Sequence, residues 1–256
     1  MGLRPFVRYY WTMRVQEAGI VTQRTLPTGC VSLFFHRGER LLTSNLDSLH
    51  PRSFICGQQT VFTDVCSTGN LEMIVVVFQP HTAKLFFKHP ISLFHNINIS
   101  VDEIEDKELT DLANRIEDTD NHTECISLIE NYLYQKITAE TSFHIYRLSK
   151  VIQQINSTPL ILSKKLSDIA CLSEKQFFRV FSDNVGISPK DFIRIIRLQR
   201  ALYSLQNSPE TNWAQLAYEC GFTDQSHMIK EFKQHFGCTP KVFIKSWPPM
   251  SDYFSF

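Results

Sequence analysis

Apolar residues recur along this chain in two rhythms, and the change from one to the other predicts its architecture. In the first hundred residues they come as compact β-branched and aromatic runs, clearest in Val31-Ser32-Leu33-Phe34-Phe35-His36 and Met73-Ile74-Val75-Val76-Val77-Phe78. Pro27-Thr28-Gly29 reads as a turn into the first run. Several short strands imply a small β-barrel or sandwich. From Lys107 the period becomes helical, with Leu109, Leu112 and Ile116 and then Ile126, Ile129 and Leu133, separated by the polar break Asp118-Thr119-Asp120-Asn121. Two amphipathic helices of this kind form a hairpin against a domain or a partner. The expected fold is therefore α+β in two domains. Residues 1–140 would be a small barrel or sandwich with a helical hairpin, and residues 141–256 an all-α domain.

The second half repeats itself. Ser188-Pro189-Lys190-Asp191-Phe192-Ile193-Arg194 aligns with Thr239-Pro240-Lys241-Val242-Phe243-Ile244-Lys245 at an offset of 51 residues. The same offset pairs Gly186 with Gly237, Phe181 with Phe232, Arg179 with Lys230, Phe177 with Met228 and Ser173 with Asp224. Upstream it falls to 50, pairing Leu166 with Leu216, Ser167 with Ala217 and Cys171 with Gly221, so one residue separates the two turns in length.

Each copy reads as a short helix, a tight turn, a second helix, a glycine stop and the start of a third. Ser173 with Gln176 makes a capping box, Asp224 caps the equivalent helix, and Thr239-Pro240 is a cap followed by proline at the first helical position. Phe177, Val180 and Phe181 form one buried stripe, and Met228 and Phe232, with His235 or Phe236, form the other. The opposite face of the first copy shows Lys175, Phe178, Arg179 and Ser182. Two helices joined by a short turn are the geometry that puts the second helix in a major groove of duplex DNA. The run Ile193, Ile196, Leu198, Ala201, Leu202 and Leu205 predicts a rod joining the copies, able to set them about 34 Å apart on successive major grooves.

Charge agrees with that reading. The formal net charge is zero, but residues 1–140 hold 12 Lys+Arg against 17 Asp+Glu, whereas residues 141–256 hold 14 against 9. An acidic half followed by a basic half suits a sensor joined to a polyanion binder. Seven scattered cysteines with no C-x-x-C pair fit a reducing compartment, and Met1 to Val15 lacks the apolar run of a signal peptide. A cytoplasmic protein is expected.

Residues 145–247 resemble the AraC-type DNA-binding domain, through Ala217, Cys220-Gly221-Phe222, Asp224-Gln225-Ser226-His227, Phe232-Lys233, Phe236-Gly237 and Thr239-Pro240. The resemblance implies seven helices, recognition of double-stranded DNA, contact with RNA polymerase and regulation of transcription. By position it implies base contacts from Lys175, Phe178 and Arg179 in one recognition helix and from Ser226, His227 and Lys230 in the other. Arg179 suits a bidentate contact to guanine; Phe178 is limited to a thymine methyl or, alternatively, packs in the core. Ser167 and Cys171 stand where that family usually has alanine and the turn glycine, and Cys171 would be strained at positive φ. Lys230 offers a point charge where arginine is frequent.

The N-terminal half is similar to an uncharacterised cupin-like sensor domain found in part of the same family. The likeness lies in Tyr10-Trp11, Leu26-Pro27-Thr28-Gly29-Cys30-Val31, Gly57-Gln58-Gln59-Thr60 and Val77-Phe78-Gln79-Pro80. It implies sensing of an unidentified small-molecule effector, or dimerisation. His36, His50, His81, His89 and His95 form no H-x-H or H-x-x-x-H pair, and solvated or hydrogen-bonded histidines are expected rather than a catalytic metal. The expectation is a regulator and not an enzyme, with no cofactor. The alternative is a metal- or small-molecule-binding barrel enzyme with a non-functional DNA-binding tail.

Overall fold

The computed structural model describes residues 2–16, 21–43, 48–67, 69–137, 142–158, 160–161, 163–208 and 211–246. Two antiparallel sheets organise the N-terminal half. The first contains β1 (Val7–Val15), β3 (Ser32–His36), β6 (Ser53–Cys56), β8 (Leu71–Phe78) and β9 (Asn98–Ser100), in the order β1-β8-β3-β6-β9. The second contains β2 (Val21–Thr25), β4 (Leu42–Thr43), β5 (Ser48–Leu49) and β7 (Thr63–Ser67), in the order β2-β7-β4-β5. They are separate sheets, so the sandwich form of the expectation applies and not a closed barrel.

Strand β8 explains its own unbroken apolar run. Side chains alternate across a strand. Leu71, Met73, Val75 and Val77 pack in a core with Leu41 and Val65, the latter from the second sheet, while Ile74, Val76 and Phe78 pack in a different core with helices. Both faces are covered, so neither is polar.

Those helices are α1 (Lys84–Phe87), α2 (Lys107–Asp118) and α3 (His122–Lys136), with 3-10 turns at Ile91–Phe94 and Val101–Ile104. Asp106 caps α2 by accepting from the N–H of Glu108 at 3.1 Å and Leu109 at 3.3 Å, and Asn121 caps α3 by accepting from Thr123 N–H at 2.9 Å. The hairpin lies on its own domain: Leu109, Leu112, Ile116, Cys125, Ile129 and Leu133 join the first sheet's core. Cys125 takes the buried place that the periodicity gave to Ile126, which is only half-buried. Dimerisation through 107–137 would therefore have to use the outer, polar faces of these helices.

Seven helices follow among the described residues: α4 (Ser142–Ser157), α5 (Ser163–Ile169), α6 (Glu174–Val185), α7 (Pro189–Asn207), α8 (Trp213–Glu219), α9 (Gln225–Phe236) and α10 (Pro240–Ser246). Helices α5 and α8 both have 7 residues, and α6 and α9 both have 12. The two units thus reproduce the internal repeat. Helix α7 belongs to both units, giving Phe192, Ile193 and Ile195 to the first core and Leu198, Ala201, Leu202 and Leu205 to the second. Its 19 residues span about 28 Å as a rod. A division after residue 140 falls within 138–141, outside the described residues.

Candidate nucleic-acid interface

Each recognition helix is started and stopped by the same local chemistry. Ser173 Oγ accepts from Gln176 N–H at 3.4 Å and the Gln176 side chain accepts from Ser173 N–H at 3.3 Å, closing the capping box of α6. Asp224 accepts from His227 N–H at 2.8 Å at the start of α9. Both helices end on a left-handed glycine, Gly186 at φ 99° and Gly237 at φ 76°. The turns ahead of them differ. Gly221 takes φ 85° in the second, but Cys171 is forced to φ 52° in the first. Two residues, Phe222 and Thr223, separate Gly221 from its cap, whereas Leu172 alone follows Cys171, which locates the one-residue difference between the repeats.

The caps fix which faces stay open. Phe177 and Phe181 of α6 are buried, whereas Lys175, Phe178 and Arg179 project outward together at helical spacing. Phe178 is 55% exposed, so it does not pack in the core. Ser182 is not part of this open face: it is half-buried, where the end of α6 meets the turn at Ile91–Phe94. On α9, Met228 and Phe232 are buried, and so are both His235 and Phe236. Ser226 and Lys230 are exposed and His227 half-exposed. His227 is a tethered ring: its Nδ1 accepts from Thr223 N–H at 3.4 Å, its edge meets Phe222, and its Nε2 stands 3.8 Å from Glu231. The structure thus places all six candidate residues on solvent-facing parts of two repeat-related helices.

Residues 166–246 match a helix-turn-helix domain family, and residues 1–100 match a domain of unknown function. The C-terminal domain is AraC-type. The chain is 32% identical over 83 residues to an uncharacterised HTH-type transcriptional regulator of Haemophilus influenzae, covering 32% of this chain and 28% of that protein. It is 28% identical over 114 residues to the Msm operon regulatory protein of Streptococcus mutans, covering 43% of this chain and 39% of that one. The chain thus spans about a third of the length of these curated relatives. Among solved structures, ToxT from Vibrio cholerae aligns with 93% of this chain and 97% of its own at a TM-score of 0.48 and 12% identity.

The AraC-type domain is braced by the N-terminal domain at the ends of both recognition helices, which sequence reading missed. At the end of α9, His235 Nδ1 donates to Thr60 O, Phe62 N–H donates to His235 O at 2.8 Å, and Arg24 Nη1 donates to Phe236 O at 3.3 Å. Leu26 and Phe62 complete the second unit's core. At the end of α6, Gly186 lies against Gln58 and Ile91, and Lys84 stands 3.9 Å from Asp183. Within the domain, Arg194 of α7 pairs with Glu231 of α9 at 2.7 Å, holding the second recognition helix to the rod.

The histidines of the first half divide by burial. His36, His50 and His81 are buried, and His89 and His95 are exposed. His36 Nδ1 donates to Pro51 O at 3.2 Å, and Asn98 Nδ2 donates to His50 Nδ1 at 3.1 Å. Burial pushes His81 down to about 4; burial and then the neighbouring His36 do the same to His50. Among the described residues no group of three or more His, Cys, Asp or Glu could hold a metal ion.

Proposed function

We propose that this chain is a sequence-specific transcription regulator that reads double-stranded DNA through α6 and α9 in successive major grooves. The observation that carries this reading is the duplication itself: two helix pairs of equal length, related by an offset of 50 to 51 residues, each showing a basic, apolar-free or Phe-bearing face to solvent. Lys175, Phe178 and Arg179 contact bases from the first unit, and Ser226, His227 and Lys230 from the second. Arg179, the one exposed guanidinium among the six, makes the bidentate contact to guanine. Exposure of Phe178 favours the thymine-methyl contact.

Residues 1–140 act as the sensor half and 141–256 as the DNA-binding half, in an effector-responsive activator that also contacts RNA polymerase. The braces at Thr60–Phe62 and at Gln58–Ile91 support such a division of labour, because they connect the first half to both recognition helices. No helix among the described residues is long and apolar enough to cross a membrane, and we place the protein in the cytoplasm as a regulator and not an enzyme.

Selection of bound sequences from a random duplex pool by the full chain, at near-physiological salt, tests this function. An asymmetric motif with two clusters one helical turn apart is expected. A motif with one cluster assigns only backbone contacts to the strained Cys171 unit, and no enrichment refutes DNA reading.

A further inference from the structure

Helix α9 carries a carboxylate between two imidazoles. His227, Glu231 and His235 recur at every fourth residue, which puts all three on one stripe of the helix. The Glu231 side chain is only 14% exposed, and its two oxygens face different groups. Oε2 stands 2.7 Å from Arg194 Nε of α7 and 3.6 Å from His235 Nε2, whereas Oε1 stands 3.8 Å from His227 Nε2. The ion pair with Arg194 accounts for Oε2. It leaves Oε1 to His227, the imidazole assigned to base reading.

A neutral imidazole has one N–H and one lone pair, and the nitrogen that carries the proton decides whether a base edge meets a donor or an acceptor. Both neighbours of His227 make the same choice. Thr223 N–H donates to Nδ1 at 3.4 Å, so that nitrogen keeps its lone pair. Nε2 then carries the hydrogen and points toward an oxygen that can only accept. The opposite tautomer would set N–H against N–H at Thr223 and a lone pair against the carboxylate. Phe222 meets the imidazole edge-on, with ring centroids 5.7 Å apart, and fixes the plane of the ring. At 3.8 Å the Nε2–H is steered by Glu231 and not consumed in a hydrogen bond, and the His227 side chain is 40% exposed, so this donor can reach a groove.

We propose that Glu231 is a positioning residue for the second reader: it holds His227 as an Nε2–H donor and so sets the base preference at one position. A donor there pairs with guanine N7 or O6, adenine N7 or thymine O4, and meets a competing donor at cytosine N4. Glu231 acts through His227 without touching DNA. The preference rests on the DNA-binding reading, whereas the tautomer does not.

Nitrogen NMR of the full chain, labelled at histidine, tests the tautomer at about pH 8.5, where a free imidazole is neutral. The His227 signals are identified by their loss in His227→Gln. A protonated Nε2 and a lone-pair Nδ1 are expected in the wild type; the reverse, or an even mixture, overturns the proposal. In Glu231→Gln, whose amide can donate to Nε2 as well as accept from it, the populations should shift toward the other tautomer, and an unchanged spectrum removes Glu231 from the role. Duplex selection by the same chains tests the consequence. The position read by His227 is the one whose preference relaxes in His227→Gln. The wild type should disfavour cytosine there on the contacted strand, and Glu231→Gln should relax that preference about threefold or more while the position set by Arg179 stays unchanged. Arg194→Gln removes the ion pair and leaves the carboxylate, so it should lower Tm and weaken all sequences alike while keeping the preference. Circular dichroism checks that each variant is folded. Equal loss at every position in Glu231→Gln, or equal relaxation by Arg194→Gln, would make Glu231 a structural ion pair only and overturn the proposal. A chain that selects no duplex overturns the DNA reading and with it the preference, while the tautomer stands or falls on the spectrum.

Discussion

Replacing Gly237 by alanine should strain the molecule twice, and the two contributions can be separated. Gly237 sits at φ 76°, where a side chain costs about 1–2 kcal/mol. The new Cβ would also stand 2.5 Å from Phe62 Cε1 and 2.6 Å from Arg24 Nη1. Neither neighbour moves aside easily. Arg24 is fixed by a two-pronged contact to Asp64 at 2.7 and 2.8 Å and lies over the Phe62 ring at 4.0 Å. Overpacking of this kind adds about 1–2 kcal/mol, so Gly237→Ala should destabilise the full chain by about 2–4 kcal/mol. In a Phe62→Ala background the clash with the ring disappears while the backbone strain remains. Urea unfolding followed by circular dichroism on the wild type, both single variants and the double variant should therefore give a coupling of about 1–2 kcal/mol. Additivity within about 0.5 kcal/mol would show that the first half does not press on the end of α9, and the brace described here would be wrong.

Three other outcomes follow from the same geometry. Cys171→Gly should raise stability by about 0.5–1 kcal/mol, since it relieves φ 52° at an exposed side chain; an unchanged or lower Tm contradicts strain in the first turn. Arg179→Ala should cost roughly 1–3 kcal/mol of affinity for the best site and relax preference at one base position. A uniform loss across all duplexes in a repeat of the selection would reassign Arg179 to the phosphate backbone. Below neutrality the fold should weaken, because His50 and His81 are held near 4 in the folded chain against an ordinary 6.5. The unfolded chain takes up the proton first, so stability is complete above about pH 6.5 and drains toward pH 4, by at most about 1.4 kcal/mol per pH unit for each imidazole. Urea midpoints at pH 7.5 and pH 5 should show the loss, and His81→Gln should reduce it; equal slopes in the two proteins would refute the assignment to His81.

Local chemistry made the C-terminal half readable without coordinates. Caps at Ser173 and Asp224, glycine stops at Gly186 and Gly237, and the apolar spacing of α6 and α9 are satisfied within a few residues of each other, so the linear order carries them. Lys175 and Arg179 could be placed on an open face by elimination from the buried stripe, whereas Ser226 and Lys230 came by position from the family resemblance. Phe178 could not, because its chemistry suits a core as well as a groove, and only its exposure decides.

By itself the sequence determined that the chain has two kinds of structure, that its second half is a duplicated helix-turn-helix, and that Lys175 and Arg179 lie opposite the first recognition helix's buried stripe. Tertiary structure alone decided that the 107–137 hairpin is spent on its own sheet and that Leu26 and Phe62 finish a core in the other half. Hydrogen bonds such as Arg24 to Phe236, Thr60 to His235 and Pro27 to Gln199 join residues 212, 175 and 172 positions apart. Periodicity records which face of an element is apolar, but not which distant surface covers it. That choice is made by packing two finished units together, and it leaves no local trace in the chain.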